Sequence, residues 1–296
     1  MRVLIVVNPV SGGGGTRSRV RRLAAALGVR GASVETVFTE GPGHAARLVG
    51  AEDSPAVVIA VGGDGTVHDV LQGLDPARQR LGVLPAGTGN DFVWGLGWDS
   101  SAAGLLARWE AGVTRRVDLG RWRVRTAGGV GEGRFHNSVG LGFEALVNAR
   151  SHRMRGWPKR LRYAAALALS LPAYRSYDIR VARDGGPPVP GKVALCSVCN
   201  GPRVGGRFRL APAARLDDGR LDLVTVEGMG LWSALRLLPG TLGGTHADDP
   251  RVRVEPVERL ELRAPGGIPV YVDGEFVHAE VQALEIEVLP AALSVF

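Results

Sequence analysis

Short apolar runs alternate with helical periodicities through the first third of the chain. Val3–Val7 is continuously apolar and predicts a buried strand. Arg17–Leu27 places Val20, Leu23, Ala24 and Leu27 at helical spacing. Val34–Phe38 predicts a second strand, His44–Val49 a short helix, and Val57–Val61 a third strand. Thr66–Leu74 aligns Val67, Val70, Leu71 and Leu74 on one helical face, and Leu81–Leu84 predicts a fourth strand ending at Pro85. Such alternation predicts an α/β domain with a parallel sheet over residues 1–117.

From about Asp118 the texture changes. Arg121–Arg125, Ile179–Ala182, Val193–Val198, Leu221–Val226, Val252–Val254 and Leu284–Val288 are strand-like runs divided by Gly, Pro and Asp. They predict a mostly antiparallel β-sandwich domain over residues 118–296. Asp184–Pro190 reads as a hairpin loop. Two helical stretches interrupt this domain. Leu161–Leu171 is apolar nearly all round and follows the basic residues Arg150, Arg153, Arg155, Lys159 and Arg160. It is read chiefly as a buried helix with a solvated lead-in, the other reading being an interfacial segment. Leu231–Leu238 predicts a helix ended by Pro239-Gly240.

Composition narrows the classes. The 296 residues are 45% hydrophobic and 22% charged, ordinary for globular domains. The start reads as a strand rather than a signal peptide, and no apolar run reaches a membrane span, so a cytoplasmic protein is expected. Contact with the inner face of the membrane and the oligomeric state stay open. The net charge of +7 fits anionic membrane, nucleotide phosphates or nucleic acid. With no helix-turn-helix, RNA-binding or zinc-finger signature, nucleic acid is not an expected partner. Cys196 and Cys199 fall three apart in a strand-like run, hence on opposite faces, and are read as buried thiols. His44, His136, His152, His246 and His278 show no metal spacing.

The candidate chemistry sits where strands end. Asn8-Pro9-Val10-Ser11 and Gly12–Gly15 follow the first strand; glycines let backbone N–H groups approach a phosphate. This is neither a Walker A loop nor G-x-G-x-x-G. Gly62-Gly63-Asp64-Gly65-Thr66 follows the third strand and opens a helix. Asp64 beside phosphates implies a divalent cation between them, or else a helix N-cap. Pro85-Ala86-Gly87-Thr88-Gly89-Asn90-Asp91-Phe92 follows the fourth strand. Three such loops on successive strand ends predict a nucleoside triphosphate site.

These elements, taken together, resemble the catalytic domain shared by diacylglycerol kinases, sphingosine kinases and related bacterial lipid kinases. Gly62–Thr66 alone also occurs in NAD kinases; the P-x-G-T-x-N-D-F element separates the lipid kinases from them. Asn137–Phe143, Cys199-Asn200-Gly201, Ala211-Pro212, Leu216–Asp222 and Val272–Glu275 continue the resemblance in order. It implies an ATP- and Mg²⁺-dependent kinase of a lipid hydroxyl, with diacylglycerol as the default acceptor. Phosphatidylglycerol, a sphingoid base or a soluble acceptor such as NAD are the alternatives, and a nucleotide-binding regulator without catalysis is a rival.

By this resemblance Asn8, Ser11, Gly12, Thr39, Gly62, Gly63, Asp64, Gly65, Thr66, His68, Gly87, Thr88 and Asn90 contact ATP. Asp64, Asp91 and Asp118 form an acidic cluster near the phosphates. Asp218, with the carbonyls of Arg215 and Arg220, holds a structural Mg²⁺. Asp273 or Glu275 is the base. The family's C-terminal tail packs on the first domain, which the resemblance implies for Leu284–Phe296. Two departures stand out: His68-Asp69 where the family has an acidic or Asn-Glu pair, and Val93-Trp94 where it has Ala-Arg. Outside the resemblance, Asp217-Asp218-Gly219 is a good type I turn and Asp273-Gly274 a good hairpin turn.

Overall fold

The computed structural model describes the chain apart from residues 13, 14, 52, 155 and 158 and the side chains of 159, 160 and 163. The chain divides into two compact units. Unit 1 comprises Met1–Leu119, Leu216–Asp218 and Pro290–Phe296; unit 2 comprises Gly120–Arg215 and Gly219–Leu289.

In unit 1, β1 (Arg2–Val7), β2 (Ser33–Phe38), β3 (Val57–Gly62) and β4 (Arg80–Pro85) pair in parallel in the order β4-β3-β1-β2. Every residue of β3 is buried, which its unbroken apolar sequence requires of a strand covered on both faces. The helices are α1 (Thr16–Val29), α2 (His44–Val49), α3 (Asp64–Gly73), α4 (Asp91–Leu96) and α5 (Ala102–Glu110). Val20, Leu23 and Leu27 of α1 bury against Val3, Ile5, Val7 and Ile59 in one core that also takes Leu105 of α5. The last residues of the chain close this unit: Ser294 and Val295 pair in parallel with Arg80 and Leu81. Phe296 packs its ring 5.6 Å from that of Trp109, over Gly82, where a Cβ would lie 2.6 Å from the Phe296 ring.

Unit 2 is antiparallel. Its strands are β5 (Arg115–Thr126), which enters from unit 1, β6 (Gly129–Phe135), β7 (Ser138–Gly142), β8 (Tyr177–Arg183), β9 (Val189–Cys199), β10 (Leu221–Glu227), β11 (Val252–Val257), β12 (Arg259–Val272) and β13 (Glu275–Val295), which leaves into unit 1. The pairs β5-β6, β7-β9, β9-β10, β10-β11, β8-β9, β7-β12 and β12-β13 are all antiparallel. Its helices are α6 (Phe143–Arg153), α7 (Lys159–Ser170) and α8 (Leu231–Gly243). Cys196 and Cys199 on β9 fall in two different cores, as opposite strand faces demand. Burial pushes the Cys196 thiol up to about 12 and the Cys199 thiol up as well, so both are inert.

Two helical readings need correction. α8 does not stop at Pro239 but runs through it to Gly243. Proline removes the donor that Leu235 O would have had, and the turn beyond it is held by other bonds: the Thr241 hydroxyl donates to Leu238 O at 2.6 Å, and Arg209 N donates to Thr241 O at 2.6 Å. α7 is not a buried helix: Leu161 and Leu169 are exposed. Of the basic lead-in, Arg150 and Arg153 belong to α6, and Arg155 lies outside the described residues. Among the described residues no helix is long and apolar enough to cross a membrane.

Candidate active site

Parallel pairing puts the carboxyl ends of β1, β3 and β4 side by side, so the loops that follow them meet. Asn8 begins the first loop. Its N–H donates to Val61 O at 3.0 Å, its Nδ2 to the Thr66 hydroxyl at 3.2 Å, and its Oδ1 accepts from Val10 N at 3.1 Å. One side chain therefore couples the first loop to the second. Ser11 O accepts from the Thr16 hydroxyl at 2.8 Å. Gly12 has φ +75°, and a Cβ there would lie 2.5 Å from the same hydroxyl. Gly13 and Gly14 of this loop lie outside the described residues. Thr39 follows β2 and donates its N–H to Val7 O at 2.8 Å.

The second and third loops meet backbone to backbone at Gly63 and Gly87. A Cβ on Gly87 would stand 2.4 Å from Gly63 Cα, and one on Gly63 would stand 3.0 Å from Gly87 Cα. Ala86 N donates to Gly62 O at 2.7 Å, and a Cβ on Gly62 would collide with Thr66 at 2.1 Å. Asn90, at φ 52° in the left-handed region that asparagine tolerates, closes the third loop. Its Oδ1 accepts from Gly87 N at 3.0 Å and its Nδ2 donates to Gly87 O at 3.1 Å. Thr88 stands exposed at the tip, and Gly65 is exposed beside the half-buried His68.

Two carboxylates open the helices that leave these loops. Gly63 is the N-cap of α3 and Asp64 its first residue, so Asp64 is not the cap. Asp64 Oδ1 accepts from Phe92 N at 3.2 Å, which brings it to the start of α4, where Asp91 is buried. Asp118 is also buried, but its resolved partners are structural: Oδ1 accepts from Ala291 N at 2.6 Å and its N–H donates to Leu216 O at 2.7 Å. It thus ties together the three chain segments of unit 1. The Asp217-Asp218-Gly219 turn has Gly219 at φ +73° and is held by Asp217, whose Oδ2 lies 2.8 Å from Arg115 Nη2. Asp218 is exposed; Arg215 and Arg220, its sequence neighbours in the implied metal set, belong to unit 2.

Sequence reasoning missed Arg19. No Lys or Arg occurs in residues 8–16, 62–68 or 85–92. Arg19 of α1 supplies a guanidinium to this edge, donating from Nη2 to Pro85 O at 3.3 Å. Its only signal was position, one helical turn past a glycine loop. The departure at His68-Asp69 is also explained: Asp69 accepts from Gly43 N at 3.0 Å and Ala45 N at 3.2 Å, capping α2 from α3.

In unit 2 the motifs converge on Asp273. Asp273 and Gly274 form a two-residue turn with φ 48° and 88°, pairing Val272 with Glu275. The Asp273 carboxylate is buried and accepts three backbone N–H bonds: Oδ2 from His136 at 3.0 Å, Oδ1 from Asn137 at 2.9 Å and Ser138 at 3.0 Å. His136 Nε2 lies 3.5 Å from Oδ2. Asn200 joins the same node through its N–H to Asn137 O at 2.7 Å and its Nδ2 to His136 O at 2.8 Å. Glu275 differs: its side chain is 49% exposed, with Oε2 3.6 Å from His152 Nδ1. Behind them the half-buried Glu144 lies between Tyr271 Oη and the Ser197 hydroxyl, the latter donating at 2.7 Å. Burial raises the Glu144 carboxyl above its usual value despite those two donors. Gly140 leaves the space that the Tyr271 ring fills.

An α/β unit with glycine loops on three adjoining strand ends, continuous in sequence with an antiparallel unit, has the parts of a phosphotransferase: this is a kinase. Residues 2–122 match the model of the diacylglycerol kinase catalytic domain, and residues 137–296 that of the YegS C-terminal NAD kinase beta sandwich-like domain. The chain is 33% identical to a diacylglycerol kinase of Mycobacterium tuberculosis, over 99% of this chain and 94% of the relative. It is 28% identical to one of Bacillus subtilis, over 94% and 93%. The chain belongs to the diacylglycerol kinase family. A crystal structure of a diacylglycerol kinase from Bacillus anthracis shares the fold at TM-score 0.71 and 22% identity, covering 99% of this chain and 96% of that one. An NAD kinase from Archaeoglobus fulgidus, solved in complex with ATP, matches at TM-score 0.55 and 16% identity, over 100% and 93%.

Proposed function

We propose that this kinase transfers the γ-phosphate of ATP to the hydroxyl of a membrane lipid, with diacylglycerol as the acceptor. The observation that carries the nucleotide half is the contact between Gly63 and Gly87, which leaves no room for a Cβ on either side. Such close backbone approach presents N–H groups to phosphate oxygens. Asn8, Ser11, Gly12, Thr39, Gly62 to Thr66, His68, Gly87, Thr88 and Asn90 are the proposed ATP contacts. Arg19 offers the positive charge that the loops themselves lack.

Mg²⁺ fits this donor set. Among the described residues no three His, Cys, Asp or Glu side chains are grouped to hold a metal. Mg²⁺ is commonly held by one or two carboxylates together with substrate phosphates. Asp64 and Asp91 are the carboxylates proposed beside the phosphates, and Asp218 with the carbonyls of Arg215 and Arg220 is the proposed structural ligand set. When bound, the ion neutralises charge developing on the phosphoryl group.

Glu275, rather than Asp273, is the proposed base. A base needs an oxygen within hydrogen-bond reach of the substrate proton, and Asp273 is buried with its oxygens accepting from three backbone N–H groups. Asp273 is proposed instead to set the turn that presents Glu275. Asp118, by its bonds, is proposed as a positioning residue and not part of the phosphate cluster.

The test is transfer of label from γ-labelled ATP to a lipid panel in mixed micelles with Mg²⁺, with NAD as soluble acceptor and folded Asp64→Ala as control. Label in diacylglycerol, lost in the variant, is expected. Label in NADP, or ATP binding without transfer to any lipid, overturns the proposal.

A further inference from the structure

α8 belongs to unit 2 and has an unusual surface. Its exposed residues recur at helical spacing: Trp232, Arg236, Pro239 and Gly243, with Leu242 beside them. Trp232 is 76% exposed, the most exposed tryptophan described, and Leu242 is 52% exposed. The opposite side carries Leu237, packed on the core, and the buried Thr241. Such a helix has its ordinary inward face occupied and still shows a large apolar face outward.

A second helix of the same unit also exposes apolar residues, and it is tied to α8 through the flanking chain. α7 exposes Leu161 and Leu169. The chain leaving it is fastened to the chain entering α8: Tyr174 Oη donates to Met229 O at 2.8 Å, and Ser176 packs on Gly228. The Tyr174 ring is in turn held edge-on by Phe143 at 5.1 Å.

Charge says what covers these helices. From residue 145 to 177 there is no Asp or Glu, and seven residues are Arg or Lys. From 228 to 247 there is again no Asp or Glu, and Arg236 stands on the exposed face. Arg209, exposed, is bonded to the C-terminal turn of α8 through its N–H to Thr241 O. Elsewhere the chain carries 29 acidic residues. A protein partner of ordinary surface gives no reason for the removal of every carboxylate from two tethered helices. An anionic bilayer does: acids would be repelled, arginines attracted to headgroups, and Trp and Leu would enter the headgroup–acyl boundary.

We infer that α8, together with α7, is a docking surface for an anionic lipid bilayer, Trp232 and Leu242 inserting while Arg236 pairs with headgroup phosphates. The inference deepens the proposed lipid-kinase reading and rests on it only for the purpose of docking. Trp232, Leu242 and Arg236 are not among the proposed ATP contacts, metal ligands or base, so docking and turnover are read separately.

The experiment is co-sedimentation of the full chain with vesicles of phosphatidylcholine alone or mixed with phosphatidylglycerol. Turnover is measured alongside on a water-soluble short-chain diacylglycerol. The wild type should bind the mixed vesicles far better than the neutral ones, and less well at high salt. Trp232→Ser/Leu242→Ser should weaken mixed-vesicle binding by at least about tenfold, and Arg236→Glu should lower it further. Both variants should turn over the short-chain substrate as the wild type does. Wild-type binding that ignores phosphatidylglycerol, or a double variant that binds undiminished, overturns the inference. So does a wild type that binds neither vesicle, which transfers this face to a protein partner. Failure of the kinase reading shows separately, as no turnover of the short-chain substrate by a wild type that still sediments.

Discussion

Asp64 and Asp273 are both aspartates followed by glycine, yet their surroundings are opposite. Asp64 opens a helix, half-buried, on an edge where glycines hold two loops in backbone contact. Asp273 is buried inside unit 2, its carboxylate accepting from the N–H groups of His136, Asn137 and Ser138. In unit 1 backbone contact shapes the candidate site, and the Asp64 carboxylate ties its loop to the start of α4. In unit 2 the carboxylate holds the backbone, and the neighbouring Glu275, half-exposed, is the proposed base. A motif aspartate is thus no guide to its own role until its hydrogen-bond partners are counted.

The comparison breaks most visibly at Asp273. Asp273→Ala orphans three buried N–H donors and should cost about 3 kcal/mol or more. Thermal denaturation should show the loss; a variant as stable as wild type would mean that the turn stands without its carboxylate. Glu275→Gln should leave the melting temperature in place while lowering kcat by about 10²–10⁴-fold. A destabilised Glu275→Gln with undiminished kcat would return the base to Asp273.

On the other side, Gly87→Ala places a Cβ 2.4 Å from Gly63 Cα, where backbone must move. Kd for ATP, read by calorimetry, should rise by about tenfold or more, at about 1–3 kcal/mol of strain. Arg19→Ala should raise Kd for ATP by about tenfold and leave adenosine binding unaltered, because a guanidinium acts on phosphate rather than base. Equal losses for both ligands would make Arg19 a strut for Pro85.

The smallest effect sharpens the picture of unit 2's interior. Burial lifts the Glu144 carboxyl above its ordinary 4.5. The folded state then binds more protons than the unfolded one between those two values. The stabilisation is complete below the unfolded value and is lost as pH rises through the folded one. Glu144→Gln should flatten this fall in a pH series of denaturant midpoints while keeping both neighbouring hydroxyls bonded. An unchanged slope would clear Glu144 of titrating there.

A mixed α/β region followed by an antiparallel one was legible because hydrophobic period is a local property. Val57–Val61 reads as buried at any distance from its neighbours, and Asp273-Gly274 reads as a two-residue turn because both residues accept positive φ. α8's true end was not legible: the turn beyond Pro239 is held by the Thr241 hydroxyl on Leu238 O and, from another part of the chain, by Arg209 N on Thr241 O. The exposure of α7 was equally hidden, since a helix apolar all round looks the same whether a core or a membrane is to cover it.

The order of the glycine loops along the chain and the residue types they carry were determined by sequence alone, since a loop's composition does not depend on what it meets. Only tertiary structure decided that Gly63 rests on Gly87, that Arg19 reaches the third loop, that Asp118 binds the C-terminal segment, and that Asp273 is spent on backbone. Each of these is a contact between residues distant in the chain, and its existence depends on how the strands are ordered and how much solvent they exclude.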